Sequence, residues 1–391
     1  MNMSEFFRQP LSNKPYIVYR KDSDGADGFY TILQYCLNFP SSPWTHLKHY
    51  ATSGFEGILA VPSETKDGIV NILTLDENVK RMMRTMEHMH LKKEESDVRS
   101  GIHERFKSQH PEIELKDTIA PVYLDINPEI LTEKIYQTVQ KNFDSGAIIP
   151  EKLIYIRPLV GRGEKYTEEG LFLPALGVAS LGHEVFLEIS SMNVDSYLST
   201  GGKEVYPRVL VWEGNFSETG VETPARHIKT AANYAFGGMA KNTAVMNGFH
   251  ETLIQDNHGN AIEGGGENLY MVKRNKLITP PLTQSILPGT KRKVVLEIAK
   301  LLGIEYEERP IPLEELFSDS AHAMAFSGTW TGFAPVEYLY QDSKNRVKQF
   351  NVNNEIIGAI SGVYENIIHD RQVAPEFQNL QNKVLHSLKY K

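Results

Sequence analysis

Apolar and polar residues alternate along this chain with two different periods, and the period changes often. Short apolar runs, GFYTIL at 28–33, GILAV at 57–61, IVNILTL at 69–75 and APVYLDI at 120–126, have the length and the β-branched or aromatic content of strands. Residues 77–92 and 130–143 instead carry apolar positions three and four apart, the period of a helix with one buried face. VLVW at 209–212, ETLIQD at 251–256, NLYMV at 268–272 and KLIT at 276–279 predict a second set of strands. Over 291–302 the residues Val294, Val295, Ile298, Leu301 and Leu302 mark a helix that stops at Gly303. A last helix is expected over 354–369, and the tail beyond 370 reads as a short helix or a mobile end. With no internal repeat, this mixture predicts an α/β (α+β) protein. The patterning breaks into polar, Gly-containing sequence over 182–203. The expected division is therefore a smaller N-terminal domain at 1–185, a connection at 186–203 and a larger C-terminal domain at 204–391. Gly161-Arg162-Gly163 is expected in a loop.

Length supports that division, since 391 residues exceed the usual span of one domain. A hydrophobic content of 41% is enough for packed cores, and a formal charge of -8 with interspersed signs argues against nucleic acid or an anionic membrane as partner. No apolar run approaches a membrane span, and the first residues have neither a signal nor a transit pattern, so a cytoplasmic protein is expected. Cys36 is the single cysteine, which excludes an internal disulfide. The spaced aspartates of KDSDGADG at 21–28 suggest a calcium loop but lack its closing Glu, so a polar hairpin turn is expected. His88 and His90, two apart on a helix, point to different faces and make a poor ligand pair. No metal site is expected.

The chemistry concentrates between Lys229 and Glu267. Lys229 is followed by Thr230, Ala231 and Ala232, small neighbours that leave room for a flat ring beside an amine. Partial burial and nearby cations would lower the amine's pKa and make it a nucleophile toward an aldehyde. Glu263, on the turn made by Gly264, Gly265 and Gly266, can set an anion against a ring nitrogen, and Tyr234 can donate to a phenolic oxygen. Gly289 and Thr290 open a helix with free N–H groups and a hydroxyl, the makings of a phosphate seat, and Ser327-Gly328-Thr329 supplies a second such turn. Taken singly, each has an ordinary reading as turn, cap or core; their combination is what points to a cofactor site.

That combination resembles the fold type IV pyridoxal-phosphate enzymes, and among them the branched-chain amino acid aminotransferases, from about His49 to Val336. HYATSGFEGILA, with Tyr50 and Phe55, resembles the family's strand lining the substrate pocket, while Glu56 reads equally well as a structural acid. LTLDENVKRMMRTM resembles the helix whose Arg binds phosphate, here Arg81. YIRPLV sets Tyr155 and Arg157 where the family frames the substrate's carboxylate. The K-x-x-x-N-Y motif falls on Lys229 and Tyr234, the ring-nitrogen carboxylate on Glu263 with Glu267 as its companion, the L-P-G-x-x-R loop on Gly289, Thr290 and Lys291, and the S-G-T turn on Thr329. The resemblance implies pyridoxal 5'-phosphate as cofactor, Lys229 as its anchor and proton carrier, amino acid and 2-oxo acid substrates with 2-oxoglutarate as acceptor, ping-pong kinetics, and a homodimer.

Several residues depart from the family pattern. Trp330 stands where a small residue is usual and adds an indole to the substrate wall; Ala231 and Ala232 replace two glycines; Phe186 falls near a pocket Tyr; the Cys-x-x-Cys pair of the animal enzymes is missing. The first 45 residues and the stretch 190–222 are longer than the family leads one to expect. A same-fold transaminase for an unusual amino acid, a lyase similar to aminodeoxychorismate lyase, and a non-catalytic binding protein of the same fold stay open as alternatives, with the Tyr155 and Arg157 pair favouring transamination.

Overall fold

A computed structural model describes residues 16–39, 43, 45–93, 101–116, 120–166, 172–173, 177–194, 199–200, 203–204, 206–213, 227–282 and 286–390. Its frame is two large sheets. The first runs in the order Asp27–Thr31, Ile17–Asp22, Val185–Asn193, Ile154–Arg162, Ile58–Pro62, Ile69–Leu73, Leu385–Lys389, with Ser53–Phe55 attached to Ile154–Arg162. All of its pairings are antiparallel. The second contains eleven strands, among them Arg208–Val211, Glu251–Gln255, Asn260–Glu263, Asn268–Lys273, Lys276–Thr279 and Ala323–Gly328.

Helices form where the three-and-four spacing predicts them, and local chemistry sets their ends. Leu75–His88 opens with Asp76 and Glu77 at its positive end. Pro128–Asp144 begins at the Asn127 cap with Pro128 in its first turn, and Asn354 caps Glu355–Ile368 through two backbone N–H groups. Leu75–His88 and Pro128–Asp144 pack on the first sheet in one core. In a second core, Val61 and Leu73 of the first sheet meet Val295 and Ile298 of helix Thr290–Leu301 and Ile360 of Glu355–Ile368. That shared core sets the two sheets side by side, so residues from both wall one cleft.

Several expectations change. GFYTIL is not one strand: the strand ends at Thr31, whose hydroxyl and backbone form a capping box with Gln34 and start the helix Ile32–Asn38. APVYLDI is irregular rather than a strand, although Leu124 and Ile126 are buried; its N–H groups bond loop carbonyls, Val122 to Leu181 and Leu124 to Leu91. The connection expected at 186–203 begins too early, because Val185–Asn193 is an inner strand bonded on both sides, with Val185, Leu187, Ile189 and Ser191 turned to the core. The tail is neither a mobile end nor a helix alone: Pro375–Val384 is helical and Leu385–Lys389 returns to pair with Ile69–Leu73. The first sheet therefore draws on both ends of the chain.

The hairpin expected at 21–28 is present, with Lys21 opposite Asp27. Gly161 and Arg162 end the strand Ile154–Arg162 rather than lying in the expected loop, and Gly163 follows it. Arg162 is 1% exposed and donates to the carbonyls of Leu181, His183, His90 and Val122, which ties three segments together. Among the described residues no helix is long and apolar enough to cross a membrane.

Candidate active site

Lys229 lies just before helix Ala231–Met246, and its backbone is fastened to the first sheet and its helix. Its carbonyl accepts from the Phe55 N–H at 3.0 Å, and its N–H donates at 3.1 Å to Thr85 Oγ1 of helix Leu75–His88. The amine is hydrogen-bonded to the Tyr234 hydroxyl and enclosed by the Phe55 and Tyr234 rings, whose centroids are 5.0 and 4.5 Å away. Burial, then the nearby Arg81 and Arg157 charges, bring the amine down to about 7 against the opposing pull of Glu56 and Glu263. At neutral pH a large fraction of it is a free base. Burial also raises the Tyr234 phenol, which stays protonated and able to donate.

One cavity gathers the cofactor set: Arg81, Lys229, Tyr234, Glu263, Gly289, Thr290, Lys291 and Thr329 all line it. Glu263 ends the strand Asn260–Glu263, and its Oε2 accepts from the Leu287 N–H at 3.4 Å. Gly289 is the N-cap of helix Thr290–Leu301, whose first turn has no side-chain cap. A Cβ at 289 would run into Asn268 Oδ1, so only glycine lets the backbone approach here. Arg81 is gripped by Glu56, Nε to Oε1 and Nη2 to Oε2 at 2.7 Å each, and gives Nη1 to the Pro288 carbonyl at 3.1 Å. Three of its five N–H groups are used, and two remain for a ligand. Thr329 Oγ1 donates to the Gly57 carbonyl at 3.0 Å.

An adjoining cavity holds Tyr155, Arg157 and Trp330, and Tyr234 borders both. Arg157 donates to the Tyr155 hydroxyl at 2.5 Å and lies over the Phe55 and Tyr155 rings, 4.6 and 5.1 Å from their centroids. Among the described residues no acid pairs with it. The Trp330 indole meets Tyr155 edge-on, centroids 5.0 Å apart. Glu267 borders this second cavity, where burial and the charge of Glu251 push its carboxyl up to about 7.

Not every sequence-predicted residue is brought in. Tyr50 is 39% exposed, stacks on His46 and accepts from the Gly177 N–H at 3.0 Å, and it lines neither cavity. Phe186 is buried beside Arg20, away from Lys229. Ala231 and Ala232 line neither cavity, so the two methyls that replace glycine leave the site's volume unchanged. Sequence reasoning left out Asn268 and Leu287, which line the cofactor cavity, and the buried Asn78, which donates to Glu56 Oε2 at 2.8 Å. Asn268 was within reach, because it follows Glu267 in the same motif; Asn78 carries no signal in sequence. Thr74, at φ 54°, holds a β-branched residue in the left-handed region, a strain of about 1–3 kcal/mol. Its hydroxyl donates to Asn78 Oδ1 at 2.9 Å, which continues the polar chain toward Glu56.

The amino-transferase class IV family model matches residues 55–339. A probable branched-chain-amino-acid aminotransferase of Synechocystis sp. is 28% identical over 298 residues, covering 75% of this chain and 78% of that protein. Among solved structures, the branched-chain aminotransferase of Thermoproteus uzoniensis with norvaline superposes with a TM-score of 0.69 at 20% identity, covering 94% of this chain and 98% of its own. The branched-chain amino acid aminotransferase of Escherichia coli gives 0.67 at 20%, with 93% and 97% covered. With a family match over most of the chain and a fold shared almost end to end, this chain belongs to the class IV aminotransferases, the enzymes of fold type IV.

Proposed function

We propose that this aminotransferase moves the amino group of a hydrophobic, branched-chain-like L-amino acid to 2-oxoglutarate in ping-pong fashion, with pyridoxal 5'-phosphate held by Arg81, Lys229, Tyr234, Glu263, Gly289, Thr290, Lys291 and Thr329. The residues present fit that group. An amine of lowered pKa shares the cavity with an acid, a helix N-terminus capped by glycine and two cations. The observation that carries the reading is the Lys229 amine, hydrogen-bonded to Tyr234 inside the cavity that Glu263 and Arg81 also line.

When bound, the cofactor supplies a carbonyl for the amino group and an electron sink for the carbanion. Lys229 would take the proton from the donor's α-carbon and pass it to the carbonyl-derived carbon of the bound group, and in the second half-reaction would carry one back to the acceptor's α-carbon, a role its near-neutral pKa suits. Glu263 offers the anion that keeps a ring nitrogen protonated, and Tyr234 donates to a ring oxygen while orienting Lys229. Arg157, with aromatic faces on two sides and no acid partner among the described residues, suits the far carboxylate of 2-oxoglutarate. Tyr155 and Trp330 give the same space an apolar wall for the amino donor, and the Phe55 ring backs Arg157 and Lys229. Because the amino group would stay with the bound cofactor while the first product leaves and the acceptor takes the same space, ping-pong kinetics are expected.

The test is the absorption spectrum of protein loaded with pyridoxal phosphate, before and after excess L-leucine. The yellow band should fade as the amine form accumulates and return on adding 2-oxoglutarate. A band indifferent to L-leucine but bleached by another amino acid would replace the donor, and one indifferent to every amino acid would replace the reaction.

Trp330 sets the depth of the donor pocket. Trp330→Ala removes the ring that rests on Tyr155 and should raise kcat/KM for L-leucine relative to L-alanine by roughly tenfold or more, the discrimination that about one methylene's worth of pocket brings. An unchanged ratio would mean that the indole does not border the donor side chain.

A further inference from the structure

Helix Ala231–Met246 carries Tyr234, and the glycine turn that follows strand Asn260–Glu263 runs from Glu263 to Glu267. The phenol and the acid offered to the cofactor ring therefore depend on how this helix and this turn sit against each other. The two meet backbone to backbone. A Cβ at Gly237, three residues after Tyr234, would come within 2.5 Å of the Gly265 carbonyl oxygen, so only glycine lets the helix approach this closely. Tyr234, Gly237, Gly265 and Gly266 line the cofactor cavity and the adjoining one alike, which makes this contact part of the boundary that the two share.

A charged pair crosses the same contact. Lys241, about two helical turns beyond Tyr234 and on the same face, donates to Glu251 Oε2 and, at 2.6 Å, to the His250 carbonyl. Glu251 is 3% exposed and opens the strand Glu251–Gln255. Its other oxygen, Oε1, accepts from the Thr252 N–H at 2.9 Å and from the Gly265 N–H at 3.2 Å. A carboxylate this deep stays ionised at tolerable cost only when it is paired and hydrogen-bonded, and Lys241 with the two backbone N–H groups meets that condition. The influence of the pair reaches along the turn, because burial and then the Glu251 charge raise the Glu267 carboxyl while Lys241 pulls the other way. Glu251 and Lys241 border the adjoining cavity, and neither lines the cofactor cavity.

We infer that Glu251 is a positioning residue: secured from the helix by Lys241, it holds the glycine turn through Gly265 and so fixes the Glu263 carboxylate relative to the Tyr234 phenol. Neither member of the pair touches the cofactor on this account, and their effect passes through the turn. The inference rests on the cofactor reading above and deepens it.

The first test is amide hydrogen exchange of the full-length, cofactor-free protein. Glu251→Ala should speed exchange over residues 263–267, relative to the strand Asn268–Lys273, roughly tenfold to a hundredfold, the worth of a hydrogen bond to a charged group. Glu251→Gln, which keeps an oxygen for Gly265, should stay nearer wild type. A merely destabilising substitution would speed both segments together. The second test follows the yellow band of the cofactor-loaded protein with pH. Moving the Glu263 carboxylate away from the ring removes negative charge that favours bound protons, so the band's pH midpoint should fall in Glu251→Ala. Its kcat per bound cofactor should drop by roughly 10²-fold with KM changed far less, the effect of misplacing a reacting group by about 1 Å. Gly237→Ala pushes on the turn from the helix side and should lower the midpoint too; it decides the matter where Glu251→Ala does not fold. A turn that keeps its relative protection in Glu251→Ala, or a loaded variant with the wild-type midpoint and kcat, overturns the inference and leaves the cofactor reading standing. Wild type that takes up no pyridoxal phosphate removes the cofactor reading, and exchange alone then decides whether Glu251 holds the turn.

Discussion

Lys229→Ala should lower turnover by at least roughly 10²–10⁴-fold, the contribution of a positioned general acid–base, while the protein folds and still takes up pyridoxal phosphate at its phosphate end. The geometry separates the two effects. Lys229 is fastened by its backbone, to Phe55 N–H and Thr85 Oγ1, so truncating the side chain leaves those bonds in place. The lost amine is the group enclosed by the Phe55 and Tyr234 rings and brought down to about 7. Stability should respond in a defined direction. A lysine whose folded pKa lies below its unfolded value binds fewer protons folded than unfolded between about pH 7 and the usual lysine range. Folded stability therefore rises with pH across that window and is lost as pH falls toward 7. In the cofactor-free protein, Lys229→Ala should flatten part of that slope, the remainder belonging to Lys291, which has the same displacement. Single-turnover measurements with L-leucine check the first statement, and urea melts at pH 7 and pH 9 check the second. Turnover near the wild-type rate would end the assignment of Lys229 as proton carrier.

Glu56→Ala carries the second large effect. Glu56 is 1% exposed and meets Arg81, 5% exposed, through two contacts of 2.7 Å. Removing one partner of a buried pair strands the other, at a cost of about 3–5 kcal/mol. The polar chain that runs from Glu56 through Asn78 and Thr74 to Lys291 loses its acid as well. The cofactor-free variant should lose stability of that order in chemical denaturation, and saturating phosphate should restore part of it by supplying the missing negative charge. Glu56→Gln, which keeps the shape, should fall between. A Glu56→Ala protein as stable as wild type would show that Arg81 finds another acceptor and is not held for the ligand by Glu56.

Glu56 also marks where local reading ends. In sequence its structural and functional readings were evenly matched, and the structure joins them: it touches no open cavity, yet it fixes the arginine that does. Tyr50 is the opposite case, since it stands five residues from Phe55 in the same motif but on a short helix that turns it outward. Residues 185–193 read as a connection because Ser190 and Ser191 interrupt the apolar run. In a strand, however, only alternate positions need be apolar, and Val185, Leu187 and Ile189 satisfy that. The final strand, Leu385–Lys389, carries too little alternation to declare itself and is held by pairing with residues more than three hundred positions earlier.

What the sequence determined by itself was whatever a few adjacent residues decide. A Gly-Thr start on an amphipathic helix makes an anion seat, and a Lys with a Tyr five residues later at a helix start makes an amine with a phenol beside it. An acid on a glycine turn presents a carboxylate. Each depends on backbone geometry within one or two turns, and each lines the cavity. Only the tertiary structure decided which of these groups face one another and what charge balance results. Lys291 reaches Thr74 across 217 residues, and Thr329 reaches the Gly57 carbonyl across 272. Contacts of that kind follow from the packing of Val61 and Leu73 against helices of the other half. Burial then turns ordinary side chains into unusual ones: the same lysine that would be a solvated cation on a surface becomes, once desolvated beside Arg81, an amine that titrates near neutrality, at positions 229 and 291 alike.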